Sequence, residues 1–88
     1  MKPEIRKPTD QEKREAQSWP IWTKEASEFP YEYDEQETCL ILDGQVTITN
    51  EEGKKFDFGP GDWVVFPQGL HCTWKIRKDV RKHYRFGE

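Results

Sequence analysis

The run Tyr31-Glu32-Tyr33-Asp34-Glu35-Gln36-Glu37-Thr38-Cys39-Leu40-Ile41-Leu42-Asp43-Gly44 carries the strongest structural signal in this chain. Aromatic and acidic residues alternate in its first part. An apolar segment ending in Asp-Gly follows. Side chains alternate faces along a strand, so Cys39 and Ile41 share one face and Leu40 and Leu42 the other. Apolar residues on both faces require both to be covered. The interior of a barrel is one expected cover; the N-terminal segment or a second subunit is the other. Asp43-Gly44 reads as a tight hairpin between strands at 37–43 and 45–50.

The chain has 88 residues and a net charge of −3, with only 33% hydrophobic residues. One small domain is expected, with its core built from four Trp, three Tyr and five Phe. The acidic balance speaks against a nucleic-acid partner. No apolar run approaches the roughly 20 residues of a membrane span, so no membrane partner is expected. The first residues show no apolar leader, and the two cysteines are expected to be reduced thiols in the cytoplasm.

Further strands are predicted at 22–28, 30–34, 54–58, 63–66, 71–76 and 80–86, and a short edge strand around Ile5. In 71–76 the alternation turns Cys72, Trp74 and Ile76 inward. Thr9-Asp10-Gln11-Glu12 reads as a capping box opening a short surface helix to about Gln17. Pro20 ends it, and Trp19, Ile21 and Trp22 are expected to cap one end of the core or wall a pocket. The fold class is all-β: a barrel or sandwich of short strands with one short N-terminal helix. Residues 1–18 are expected to pack on a barrel formed by 19–88.

Two spacings carry a family resemblance. Glu37, six residues and Gly44 resemble the end of the first cupin motif. Gly61, five residues, Pro67, one residue, Gly69, two residues and Cys72 resemble the second. The chain is similar to small single-domain cupins of the (S)-ureidoglycine aminohydrolase type, in the RmlC-like superfamily. Trp19-Pro20-Ile21-Trp22 and Gly69-Leu70-His71-Cys72-Thr73-Trp74 carry that finer likeness. The resemblance implies a jelly-roll-like cupin β-barrel, often dimeric, with a pocket inside and an ancestral manganese, iron or zinc site. It also implies three histidines and a glutamate as metal ligands. This chain has Tyr31, Tyr33 and Cys72 where those histidines stand, and keeps Glu37.

Tyrosine is a poor ligand for these metals, so no cofactor is expected. Glu37, Cys39 and Cys72 form a weaker, zinc-like candidate set. Glu37 is the candidate catalytic acid or base, because burial without a cation would raise its pKa. The expected ligand is a small polar molecule held by Tyr31, Tyr33, Glu37, Cys39, Cys72 and Trp74. The plainer reading makes Glu37 a core carboxylate satisfied by the Tyr31 or Tyr33 hydroxyl. The alternatives are a metal-dependent enzyme acting on a ureidoglycine-like compound, or an interaction protein with a filled barrel.

Charge is segregated. Glu25 to Glu37 has no Lys or Arg, whereas Lys75 to Arg85 has one acid, Asp79. Complementary strands paired across a sheet explain this. His83, with Arg81 and Arg85, reads as a solvated strand face. Homodimerisation is expected from Leu40 and Leu42.

Overall fold

The structure, a computed structural model, describes residues 1–87. The chain runs β1 (Glu4–Arg6), α1 (Asp10–Ala16), β2 (Ile21–Lys24), β3 (Ser27–Glu32), β4 (Glu37–Asn50), β5 (Lys55–Phe58), β6 (Trp63–Phe66) and β7 (His71–Phe86). All pairings are antiparallel. The fold is the expected β-barrel with one short helix.

β4 and β7 are the frame. They pair along almost their whole length, from Glu37 opposite Phe86 to Asn50 opposite Cys72. The first half of β4 also pairs β6, and its second half pairs β5. Along β7 the early residues pair β3 and the late ones pair β2. Two sheet halves therefore share these two strands. One has the order β1-β6-β4-β7-β2; in the other, β5 and β3 flank the same pair. Tyr33, Ile48, Phe58, Val64, Phe66, Leu70, Trp74 and Ile76 fill the space between them.

The expected hairpin at Asp43-Gly44 does not form. Its two strands are one, and 71–76 and 80–86 are likewise one strand. Register shifts fall between Ile41 and Val46, where the ladder is bulged. The bulge bends β4 so that it passes from one half of the barrel to the other. Gly44 has φ +109°, a region that favours glycine, and a Cβ there would lie 2.7 Å from Asp79 O and from Val80 Cα. An Asp-Gly pair thus serves close backbone approach here, not chain reversal. The 22–28 prediction splits instead, into β2 and the start of β3.

Thr9 and Glu12 form the capping box, with both reciprocal bonds present. The helix lies on the outer face of the barrel. Its Ala16 is buried with Leu40 and Trp63, and Trp19 and Leu42 pack beside them. The N-terminal segment is therefore the outer cover of Leu40. β1 joins the sheet as an edge strand on β6.

His83 is not on a solvated face. It stands opposite Leu40, is buried, and its Nδ1 lies 3.0 Å from Trp19 O. The Arg85 guanidinium lies 5.1 Å from the centre of the Trp19 ring. The acidic and basic runs meet in register only at Glu28 opposite Lys75; Glu32 stands opposite His71, which lies before the basic run.

Candidate functional site

Three strands bring the site together. Glu37 opens β4 with its side chain inward, on the face of Cys39 and Ile41. Opposite residues of an antiparallel pair share a face, so Phe86, Tyr84 and Lys82 of β7 point inward too. β3 delivers Phe29 and Tyr31 beside Trp74 and Cys72. Tyr33 follows β3 and is pinned to the turn of the second motif: its N–H donates to Leu70 O at 3.0 Å, and Gly69 N–H donates to Tyr33 O at 2.7 Å.

The result is a cavity of about 170 Å³. Trp22, Phe29, Tyr33, Trp74 and Tyr84 wall it, and the exposed Tyr31 and Phe86 stand among its lining residues. Glu37 and Lys82 are its charged groups. A cavity near this size holds a benzene-sized molecule of about six non-hydrogen atoms.

Lys82 Nζ donates to Glu37 Oε2 at 2.7 Å, and both side chains are about 5% exposed. Cys39 Sγ donates to the same oxygen at 3.0 Å. Among the described residues Oε1 accepts no hydrogen bond. The ammonium also sits 4.7 Å from the Trp22 ring centre and 4.8 Å from that of Trp74, cation–π contacts that offset part of its lost hydration. The Glu37 carboxylate is thus met by a lysine and a thiol, not by the tyrosine hydroxyls. Tyr33 OH instead accepts from Trp74 Nε1 at 3.0 Å.

These contacts fix the protonation states. Burial pulls the Lys82 pKa down, but the charge and hydrogen bond of the Glu37 carboxylate act against it and the pKa is raised, so the ammonium stays charged. Burial pushes the Cys39 thiol well above the ordinary thiol range, against the pull of Lys82. Burial also raises both tyrosines, helped by the Glu37 charge. The cavity presents a closed ion pair and neutral hydroxyls, with no deprotonated thiol and no neutral amine as nucleophile.

The sequence-predicted residues divide. Tyr31, Tyr33, Glu37 and Trp74 line the cavity; Cys39 supports it through Glu37 without lining it. Cys72 belongs elsewhere, in a surface depression with Pro30 and Thr49, and its thiol is pushed up to about 11 by burial and then by Glu51. Glu37, Cys39 and Cys72 therefore do not converge. Among the described residues no three His, Cys, Asp or Glu side chains come together as a metal set. The metal that the resemblance implies does not fit the donors present: two phenols, and a carboxylate oxygen already bonded to a fixed cation. Both cysteines are free thiols.

Lys82 is the functional residue that sequence reasoning missed. It lies in a basic run that reads as surface. Yet Val80, Lys82, Tyr84 and Phe86 share one face by alternation, and a lone lysine on an apolar face needs a buried acid. Trp22, which the sequence leaves as either core cap or pocket wall, lines the cavity, whereas Tyr84 and Phe86 read in the sequence only as strand residues and Phe29 lies between two predicted strands.

Comparison with known proteins agrees with this fold. The EutQ-like cupin domain family matches residues 11–84. A solved DUF861-family protein from Thermotoga maritima is 49% identical, with TM-score 0.92 over 97% of this chain and 99% of that one. A DUF861-family protein from Pseudomonas syringae is 27% identical with TM-score 0.69, over 75% of this chain and 28% of that one. The EutQ protein of Clostridium difficile shares the fold at 18% identity, with TM-score 0.69 over 76% and 52% of the two chains. No curated protein matches. A profile spanning most of the chain and a near-full-length relative make this protein a member of the EutQ-like cupin domain (DUF861) family.

Proposed function

We propose that this small cupin domain binds a small polar molecule in its aromatic cavity, without a metal. The carrying observation is a buried Glu37–Lys82 pair on the wall of a cavity large enough for a benzene-sized guest. A barrel filled by its own side chains would leave no such space. Aromatic walls supply apolar contact, and a few placed polar atoms supply orientation.

The likeness to ureidoglycine aminohydrolase-type cupins supports a cavity of the same location. The activity of that group does not come with it, because Tyr31, Tyr33 and Cys72 replace its histidines and Lys82 holds Glu37. A cytoplasmic homodimer completes the reading. It is supported by two free thiols and by the exposed Ile21 with the half-buried Leu42.

A two-dimensional NMR screen of small fragments tests the binding role. Hits are expected to move the indole N–H signals of Trp22 and Trp74. A screen that returns no hits, or only hits perturbing other surfaces, refutes it. Sedimentation equilibrium showing a monomer at micromolar concentration refutes the dimer.

A further inference from the structure

We infer that Lys82 makes the cavity selective for small uncharged molecules that donate one hydrogen bond, to Glu37 Oε1. This deepens the binding role proposed above and rests on it.

The inference follows from how the pair is closed. Nζ and Oε2 are 2.7 Å apart, and Cys39 Sγ bonds the same oxygen. The wall therefore has charges but no net charge. A ligand anion would compete with Glu37 for the ammonium. A ligand cation on Oε1 would have to share the single carboxylate with Lys82. Either ion would leave the buried cluster with one charge lacking a counter-charge, and that is a strongly unfavourable outcome in an aromatic cavity. An uncharged guest leaves the pair intact.

Its polarity is set by what the pair leaves over. Glu37 lines the cavity and its Oε1 accepts no bond from the described residues, so an O–H or N–H of the guest has one ionised acceptor to meet. Tyr31 and Tyr33 line the same space with hydroxyls that burial keeps protonated, so the walls hold phenol donors for an acceptor on the guest. The guest is a compact molecule with a donor and an acceptor on an apolar body, such as a small amide or hydroxy compound. Lys82 sets the specificity by neutralising the group that would otherwise attract a cation.

Three isosteres separate charge from shape: isobutyramide, isobutyrate and the isobutyramidinium ion. Each is titrated into the intact protein, with the Trp22 and Trp74 indole N–H signals as readout. Isobutyramide is expected to bind at least about ten-fold more tightly than either ion, the factor that roughly 1.4 kcal/mol represents. Lys82→Met should invert the order toward the amidinium, because it bares the Glu37 carboxylate. Glu37→Gln should invert it toward isobutyrate, because it bares the ammonium.

An ion that binds the unmodified protein as tightly as the amide overturns the inference and leaves small-molecule binding standing. Binding by none of the three also overturns it; with an empty fragment screen, the binding role falls as well. The wild-type comparison decides the matter even where a variant does not fold.

Discussion

At the residue scale the Glu37–Lys82 pair dominates. A buried pair costs much of its attraction in desolvation, so its intact worth is small and the cost of breaking it is large. Lys82→Met alone is expected to destabilise the domain by about 3–5 kcal/mol, because Glu37 is left buried and charged. The double variant Glu37→Gln/Lys82→Met should lose less than that single change. Urea unfolding checks this, and a double loss equal to the sum of the single ones would show the pair to be uncoupled. The same cluster sets an alkaline limit. Cys39 keeps its proton in the folded state above the pH where an unfolded cysteine loses it, so unfolding releases a proton. Each of the two buried thiols should take about 1.4 kcal/mol of stability per pH unit above roughly pH 9, Cys72 levelling off near its folded value of about 11 and Cys39 higher. Lys82 adds to this with the same sign. Its folded pKa is raised, so its contribution is complete below the unfolded lysine pKa and is lost as pH rises through the folded value. Thermal unfolding between pH 8 and 10 should show the fall, and Cys39→Ala should roughly halve the slope of its early part, leaving the share of Cys72. The sequence made Glu37 and the tyrosines visible through motif spacing. Lys82 was hidden because its neighbours Arg81 and Lys78 made a charged run, which usually means a wet surface.

At the scale of elements, the bend in β4 decides whether the halves of the barrel close. Asp-Gly is a sound hairpin signal by local chemistry, and it misled here because the positive φ it permits serves two structures. Only the long-range partner tells them apart: β7 runs alongside both halves of β4 without a break, and nothing in a local window reports that. Strands that stand alone were easier to read, as β6 and β1 show, because turns with Pro and Gly bound the one and Pro3 and Pro8 flank the other. Two glycines test the distinction. Gly53 has φ +80° and open space within 4 Å of where a methyl group would stand, whereas Gly44 has φ +109° and faces the backbone of Asp79 and Val80 at 2.7 Å. Gly53→Ala should cost only the left-handed conformation, about 1–2 kcal/mol. Gly44→Ala should add overpacking of roughly 1–3 kcal/mol, and it should also loosen the β4–β7 ladder near Arg81. Amide hydrogen exchange reads that loosening. Equal losses at the two positions would mean the bulge tolerates a side chain and is not the tight crossing described.

At the scale of the whole molecule, the family relationship and the cavity pull in different directions, and the chemistry of the donors resolves them. The barrel, its two long shared strands and the turn from Gly59 to Asp62 belong to a cupin domain, and the resemblance in the sequence implies an ancestral metal site there. The turn itself is well tied: Gly61 N–H donates to Ile41 O at 2.8 Å, and Ile41 N–H to Asp62 O at 3.0 Å. That scaffold places Glu37 where a metal ligand is expected. Here the carboxylate meets an ammonium on a tether, a cation that cannot leave and offers no open coordination position. Neutral imidazoles are replaced by phenols kept protonated by burial. Purified protein is therefore expected to retain no stoichiometric manganese, iron or zinc after dialysis against chelator-free buffer. Lys82→His is the informative converse. It would put an imidazole on the strand that supplies Lys82, near Glu37 and Cys39, giving one nitrogen, one oxygen and one sulfur donor of the kind zinc takes. That variant should take up Co(II) with a thiolate charge-transfer band in the near ultraviolet, since metal binding drives the thiol proton off. The unmodified protein should show no such band. Stoichiometric metal in the unmodified protein, lost on Glu37→Gln with the fold retained, would mean that Lys82 yields the carboxylate to an ion, and the tethered-cation account of the cavity would fall.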